Sequence, residues 1–226
     1  MTAHSSAPDS KDIIRTKFVL FTLAFGITWN FISSFLGLGW ITATLITAIL
    51  LLLNLAYIYR YRDDVLGRIL LFSLAAGWTE LLADRWLVED TQTLHYWPGG
   101  PFVLRSPLYM PFAWTVVLVQ LAYLGWELSQ RIGLPLSAVL IGLFGGINIP
   151  LYEQWAKGAG WWFYTNTTMI GNTPWYIISG EFLIVFTLPF LMRLSQKMAP
   201  AWSLALGILH GLWIWAAYAL AYVLIG

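Results

Sequence analysis

Apolar side chains dominate the chain in runs of about 20 residues, the length a helix needs to cross the hydrocarbon core of a bilayer. Seven such runs are present, at about 17–37, 39–59, 68–88, 107–129, 134–155, 174–194 and 202–224. Small and polar residues interrupt them at helical spacing. The first run has Thr22, Gly26, Asn30 and Ser33, and the third has Ser73, Gly77, Glu80 and Asp84. The fourth has Tyr109, Ala113, Val116, Gln120 and Glu127, and the fifth Gly142, Gly145, Asn148 and Tyr152, with Glu153 beside them. Steps of three and four place each set on one helix face, and such faces are where membrane helices pack. The pattern predicts an all-α, polytopic protein: a seven-helix transmembrane bundle with its polar stripes inward. Glu181 on the sixth span and His210 on the seventh belong to the same interior.

The segments between the runs predict the organisation. Gly37-Leu38-Gly39 predicts a tight hairpin, and two longer connections cover 89–106 and 156–173. No fixed-period repeat is visible. Residues 1–16 read as a flexible polar tail that includes His4, and residues 17–226 as a single transmembrane domain. The tail lacks the apolar core and cleavage site of a secretory signal, so the first span is expected to be a retained helix. With the N-terminus in the cytoplasm, Lys and Arg divide roughly nine to three in favour of the inner side. The C-terminus and both long connections are then expected outside, in the periplasm or its equivalent.

Composition agrees and removes several classes of function. The chain is 59% hydrophobic and 10% charged, with a mean hydropathy of +0.70. Soluble domains are about 25% charged. A net charge of +1 without a basic block argues against nucleic acid as a partner. The absence of cysteine excludes disulfides, thiolate metal sites and cysteine nucleophiles. The four lysines, at 11, 17, 157 and 197, lie outside the centres of the spans, so a retinal Schiff base is excluded. Walker and dinucleotide-binding glycine motifs are absent. Arg62-Asp63-Asp64 lacks the third acid of a magnesium–diphosphate motif.

Acids in the spans are then the most informative residues. A charge at the centre of a membrane helix costs about 2.5–3.5 kcal/mol on insertion scales. At about 1.5 Å per residue, Glu80 lies roughly 18 Å into its span, near the midplane, with Asp84 one turn further out. Glu153 and Glu181 fall in the same outer half, and so do Asn30 and Asn148. If the stripes converge, these groups line one cavity. Four carboxyls in one cavity are not all cheaply ionised, and a carboxylic acid kept neutral is a candidate general acid. Glu80, Asp84, Glu181 and Glu153 are therefore the candidate catalytic residues. The structural alternative pairs Glu80 and Asp84 with Arg85 or Arg105 as packing devices.

Other candidates follow from position. Asn30, Trp78, Trp114, Asn148, Tyr152, His210 and Trp213 are candidates to line the cavity and hold substrate. Ring faces of the deep tryptophans, Trp29 included, would steady a cation by about 0.5–2 kcal/mol each; ordinary packing is the plainer reading. Trp40, Trp97, Trp155, Trp161, Trp162, Trp175 and Trp202 at span ends read as an interfacial belt. Three dispersed histidines, His4, His95 and His210, with no Glu-x-x-His or His-Glu-x-x-His motif, predict no metal site. No cofactor is expected.

The segments WTELLADRWLV, SPLYMPFAW, LYEQWAKGAGWWFY and TPWYIISGE, within residues 70–185, resemble a family of small, uncharacterised bacterial seven-helix membrane proteins. In layout the chain is also similar to membrane-integral carotenoid hydratases and to the membrane-bound cyclases of meroterpenoid synthesis. That resemblance implies intramembrane acids that protonate an alkene or epoxide, with Glu80 and either Glu181 or Glu153 in that role. The expected function is proton-initiated cyclisation or hydration of a lipid-soluble isoprenoid in contact with membrane lipids. The alternatives are a small proton-coupled carrier and a non-catalytic lipid- or pigment-binding subunit of a membrane complex.

Overall fold

Each of the seven predicted spans is a helix in the computed structural model, which describes residues 10–226. They are α1 (Ser10–Leu36), α2 (Trp40–Tyr61), α3 (Asp64–Glu89), α4 (Met110–Ile132), α5 (Leu134–Ala159), α6 (Trp175–Ser195) and α7 (Ala201–Ile225). All are long and apolar enough to cross a membrane. Outward positions such as Leu52, Tyr59, Ile147, Leu209 and Val223 are exposed apolar side chains, as a hydrocarbon solvent requires. The polar stripes turn inward: Thr22, Ser33, Ser73, Glu80, Asp84, Gln120, Asn148, Glu153, Glu181 and His210 are all buried.

The first helix starts earlier than the sequence suggests. Residues 10–16, read above as flexible tail, form its first turns. The Arg15 guanidinium holds them in place, donating to Asp63 and to Asp12 at 2.7 Å each. His4 lies outside the described residues. Asp63 also caps α3, accepting the Leu66 amide at 2.9 Å, so Arg62-Asp63-Asp64 is a helix start.

Glycines set the closest helix contacts. A methyl group on Gly77 of α3 would collide with the Pro111 carbonyl of α4, one on Gly145 of α5 with Val185 of α6, and one on Gly207 of α7 with the Phe72 carbonyl of α3. The Gly37–Gly39 hairpin forms as predicted. Both glycines have φ near +60°, and the Gly39 amide donates to the Ala159 carbonyl at 2.9 Å.

The two long connections contain short strands. These are β1 (Leu94–Tyr96), β2 (Phe102–Val103), β3 (Ser106–Pro107), β4 (Trp162–Tyr164), β5 (Met169–Ile170) and β6 (Thr173–Pro174). β1 pairs antiparallel with β4, in register Leu94↔Tyr164, His95↔Phe163 and Tyr96↔Trp162. β2–β3 and β5–β6 are small hairpins. The connections thus form one cap over one end of the bundle.

This arrangement shows a repeat that periodicity did not. Helix, strand, hairpin and helix occur in that order in α3–β1–β2–β3–α4 and again in α5–β4–β5–β6–α6. Ser106-Pro107-Leu108-Tyr109 closes the first hairpin and Thr173-Pro174-Trp175-Tyr176 the second. In each half the hydroxyl before the proline is tied to the preceding helix. Ser106 donates to Asp84 at 2.7 Å, and Gln154 donates to Thr173 at 2.8 Å. The β1–β4 pair is the seam between the halves.

Candidate functional site

Beneath the cap, α3, α5 and α6 place four carboxyls in one buried region. Glu80 and Glu181 are fully buried, Asp84 is 4% exposed and Glu153 is 8% exposed. They lie within electrostatic reach of one another: Glu80 of Asp84 and Glu181, and Glu153 of Asp84 and Glu181. The described ion pairs lie elsewhere. Arg85 and Arg105 both bind Glu89, at 2.7 and 2.5 Å, which overturns their assignment to Glu80 and Asp84. Arg131 binds Glu127, and Arg15 binds Asp12 and Asp63.

Hydroxyl and indole groups take the place of cations. Asp84 accepts from the Tyr96 hydroxyl of β1 and from Ser106. Glu153 accepts from the Trp162 indole of β4 at 2.5 Å, with Tyr164 beside it. Glu181 accepts from the Tyr218 hydroxyl of α7. Burial, then the charge of Asp84, pushes the Tyr96 phenol well above its ordinary range; burial, then Glu153, does the same to Tyr164. Both phenols therefore keep their protons and remain donors. Glu80 is the exception. Neither of its oxygens makes a well-formed hydrogen bond, although Asp84 and the Trp114 indole lie within hydrogen-bonding reach.

A cavity of about 110 Å³ adjoins this cluster in the capped half of the bundle. Its wall includes Asn30, Trp114, Gln120, Tyr152, Glu153 and Trp162. That volume is several times the ~10–15 Å³ a single water needs. Glu153 reaches the cavity directly, whereas Glu80, Asp84 and Glu181 are not on its wall. Trp114 stands between Glu80 and the space.

The remaining candidates divide. Asn30 lines the cavity, its side-chain amide donating to the Gly26 carbonyl at 2.7 Å. Asn148 supports it by donating to the Tyr152 hydroxyl at 3.4 Å. Trp78 does not take part: it is 42% exposed on the lipid face, edge-on to Phe112. It follows Gly77, and successive helix positions point about 100° apart, so the two cannot share the inward face. His210 and Trp213 lie on α7 away from the cavity. His210 is buried against Phe72 with Nδ1 3.5 Å from Thr187, and the Trp213 indole donates to the Leu183 carbonyl at 3.2 Å. Trp29 packs beside Phe25 and donates to the Thr42 carbonyl at 3.1 Å.

Sequence reasoning missed Tyr96, Ser106, Tyr164 and Tyr218, and it placed Trp161 and Trp162 in the interfacial belt. For Tyr218 a signal was present, since it lies two turns after His210 on the same face of α7. The loop residues had none, because the β1–β4 pairing that brings them inward joins distant segments. Among the described residues, no group of three His, Asp or Glu side chains is placed to hold a metal ion.

Residues 81–225 match the model of a family described as "Domain of unknown function (DUF6989)". The match covers more than half of the chain, and the chain belongs to this family. It takes in Asp84, Glu153, Glu181 and the loop tyrosines, while Glu80 lies just before it. Searches among curated proteins and among solved structures gave no match.

Proposed function

We propose that this protein is a metal-independent enzyme of the bacterial inner membrane, with the capped end outside, that acts on a lipid-soluble isoprenoid by protonating an alkene. One observation carries the reading: four buried carboxyls without a cationic partner among the described residues adjoin a cavity, and Glu153 forms part of its wall. Ionisable side chains in a membrane interior pair with one another or with backbone carbonyls, and they mark substrate pathways and proton relays. Carboxyls clustered against a cavity are suited to moving a proton.

Glu153 takes the role of cavity-facing acid. Its O–H proton passes to an alkene carbon, forming a C–H bond at the expense of the π bond and leaving a tertiary carbocation. In hydration, water adds to the cation and its extra proton returns to the carboxylate. In cyclisation, a second alkene of the same substrate attacks the cation, and a neighbouring C–H proton returns instead. Glu80, whose carboxyl lacks a well-formed hydrogen bond, serves as the proton reserve behind Trp114. Asp84 and Glu181, held by tyrosines, position the cluster. The face of Trp114 steadies the cation. The likeness in layout to carotenoid hydratases and meroterpenoid cyclases supports this reading. A carrier would need a polar path through the other half of the bundle, and the polar wall of the cavity stays within the capped half.

The test is turnover of unsaturated isoprenoids by purified protein in nanodiscs. Wild type is expected to release an isomer or a hydrated product. Glu153→Gln and Glu80→Gln are each expected to lower turnover by about 10²–10⁴-fold, the usual contribution of a general acid, with the thermal midpoint retained. Full activity in both variants would sink the assignment.

A further inference from the structure

The cavity at Glu153 is too small for the substrate class proposed for it. At about 110 Å³ it falls below the ~300–1,000 Å³ of ordinary small-molecule sites. A second cavity, of about 300 Å³, lies beside it between α2 and α4. Its wall is almost wholly apolar: Trp40, Ala48 and Leu51 of α2, Pro107 of β3, Leu108 after it, and Phe112 in the first turn of α4. The loop at Gly99-Gly100 lies on the Trp40 ring so closely that a side chain on either glycine would strike it.

The two cavities share Thr47 and Tyr109. Tyr109 is 6% exposed, and its buried hydroxyl has no hydrogen-bond partner. Polar groups lie on the inner side of this boundary, among them Asn30, Gln120, Tyr152 and Glu153. Apolar groups line both sides, and beyond the boundary the outer wall adds only the Thr44 hydroxyl to them. Ala48 is itself exposed toward the lipid.

We infer that the outer cavity is a chain-binding site and a portal to the bilayer: it holds the hydrocarbon chain of a substrate whose reacting end passes Thr47 and Tyr109 to reach Glu153. This rests on the proposed function for the identity of the reacting end. The difference between the two chambers, both mainly apolar but with Asn30, Gln120, Tyr152 and Glu153 on the inner one alone, is independent of it. The occupant is a single long chain, because the two chambers meet at only two side chains, Thr47 and Tyr109, and the outer wall offers apolar contact without a polar anchor beyond the Thr44 hydroxyl. Its unpartnered hydroxyl makes Tyr109 the group that meets the first polar or unsaturated part of the substrate.

The experiment uses the full-length protein in phosphatidylcholine nanodiscs and a diazirine-tagged polyprenyl alcohol. Labelled peptides are mapped after photolysis. Wild type is expected to be labelled on α2 and the start of α4. Ala48→Trp, which fills the outer cavity from the lipid side, is expected to lower that labelling about tenfold, a loss of about 1.4 kcal/mol in occupancy. Leu52→Trp, on the lipid-facing side of the same helix, and Glu153→Gln are expected to keep it. Labelling spread over all lipid-facing helices and unchanged by Ala48→Trp would overturn the inference. Equal competition by a saturated fatty alcohol would also overturn it, assigning the space to a bilayer acyl chain. Cavity labelling in a wild type that turns nothing over would support the chain site and count only against the catalytic reading.

Discussion

One helical turn separates Glu80 from Asp84, yet only Asp84 is held by well-formed hydrogen bonds. Tyr96 and Ser106 both give it a proton in hydrogen bonding, which ties the cap to α3. Removing one donor leaves a buried carboxylate short of a partner, at a cost of about 1–3 kcal/mol. Tyr96→Phe is therefore expected to lower the thermal midpoint in detergent, whereas Tyr59→Phe, on an exposed ring, is not. Glu80 predicts the opposite. Both its oxygens are buried without a well-formed hydrogen bond, so Glu80→Met removes a desolvation cost of about 1–3 kcal/mol at similar length. That variant is expected to unfold at a higher temperature and to lose turnover, as a residue retained for chemistry rather than stability would. An unchanged or lower midpoint would contradict this view of Glu80. The positions of both acids were legible in the sequence, because Ser73, Gly77, Glu80 and Asp84 follow the helical period. What each acid touches was not legible, since their partners arrive from β1 and from the hairpin beyond it.

At the scale of elements, backbone contact through small residues sets the helix spacing. Gly207 of α7 lies on the Phe72 carbonyl of α3, and a Cβ there would strike backbone that has no room to yield. Gly207→Val is expected to cost at least the ~1–3 kcal/mol of an overpacked core, seen as a fall in thermal midpoint. Gly67 provides the contrast. A Cβ there would meet only the Ile58 side chain at 3.8 Å, and Gly67→Ala is expected to gain about 0.5–1 kcal/mol from helix propensity. A similar response from both would mean that small residues do not determine the α3–α7 distance. The helices were legible because 20 apolar residues leave few alternatives in a membrane. Strands of two or three residues were not, because β1 has no partner within its own connection. The repeated helix–strand–hairpin–helix unit escaped notice for a related reason: its halves share Ser/Thr-Pro-x-Tyr and little else along the sequence.

For the molecule as a whole, the cap, the bundle and the acids form one device. Pairing of β1 with β4 draws both connections over the capped end and delivers Tyr96, Trp162 and Tyr164 to the carboxyls of α3 and α5. The polar stripes predicted a shared interior, and the acids do share one. Which acid meets the cavity depended on packing details that periodicity does not encode: Trp114 stands in front of Glu80, leaving the wall to Glu153. The central claim is that a proton from this cluster is delivered to a carbon atom of a lipid-soluble substrate. The most direct measurement is turnover in deuterated water, followed by mass and NMR analysis of the product. The account predicts one deuterium in a non-exchangeable C–D bond per turnover, with product formation lost in Glu153→Gln. A product without carbon-bound deuterium would contradict it.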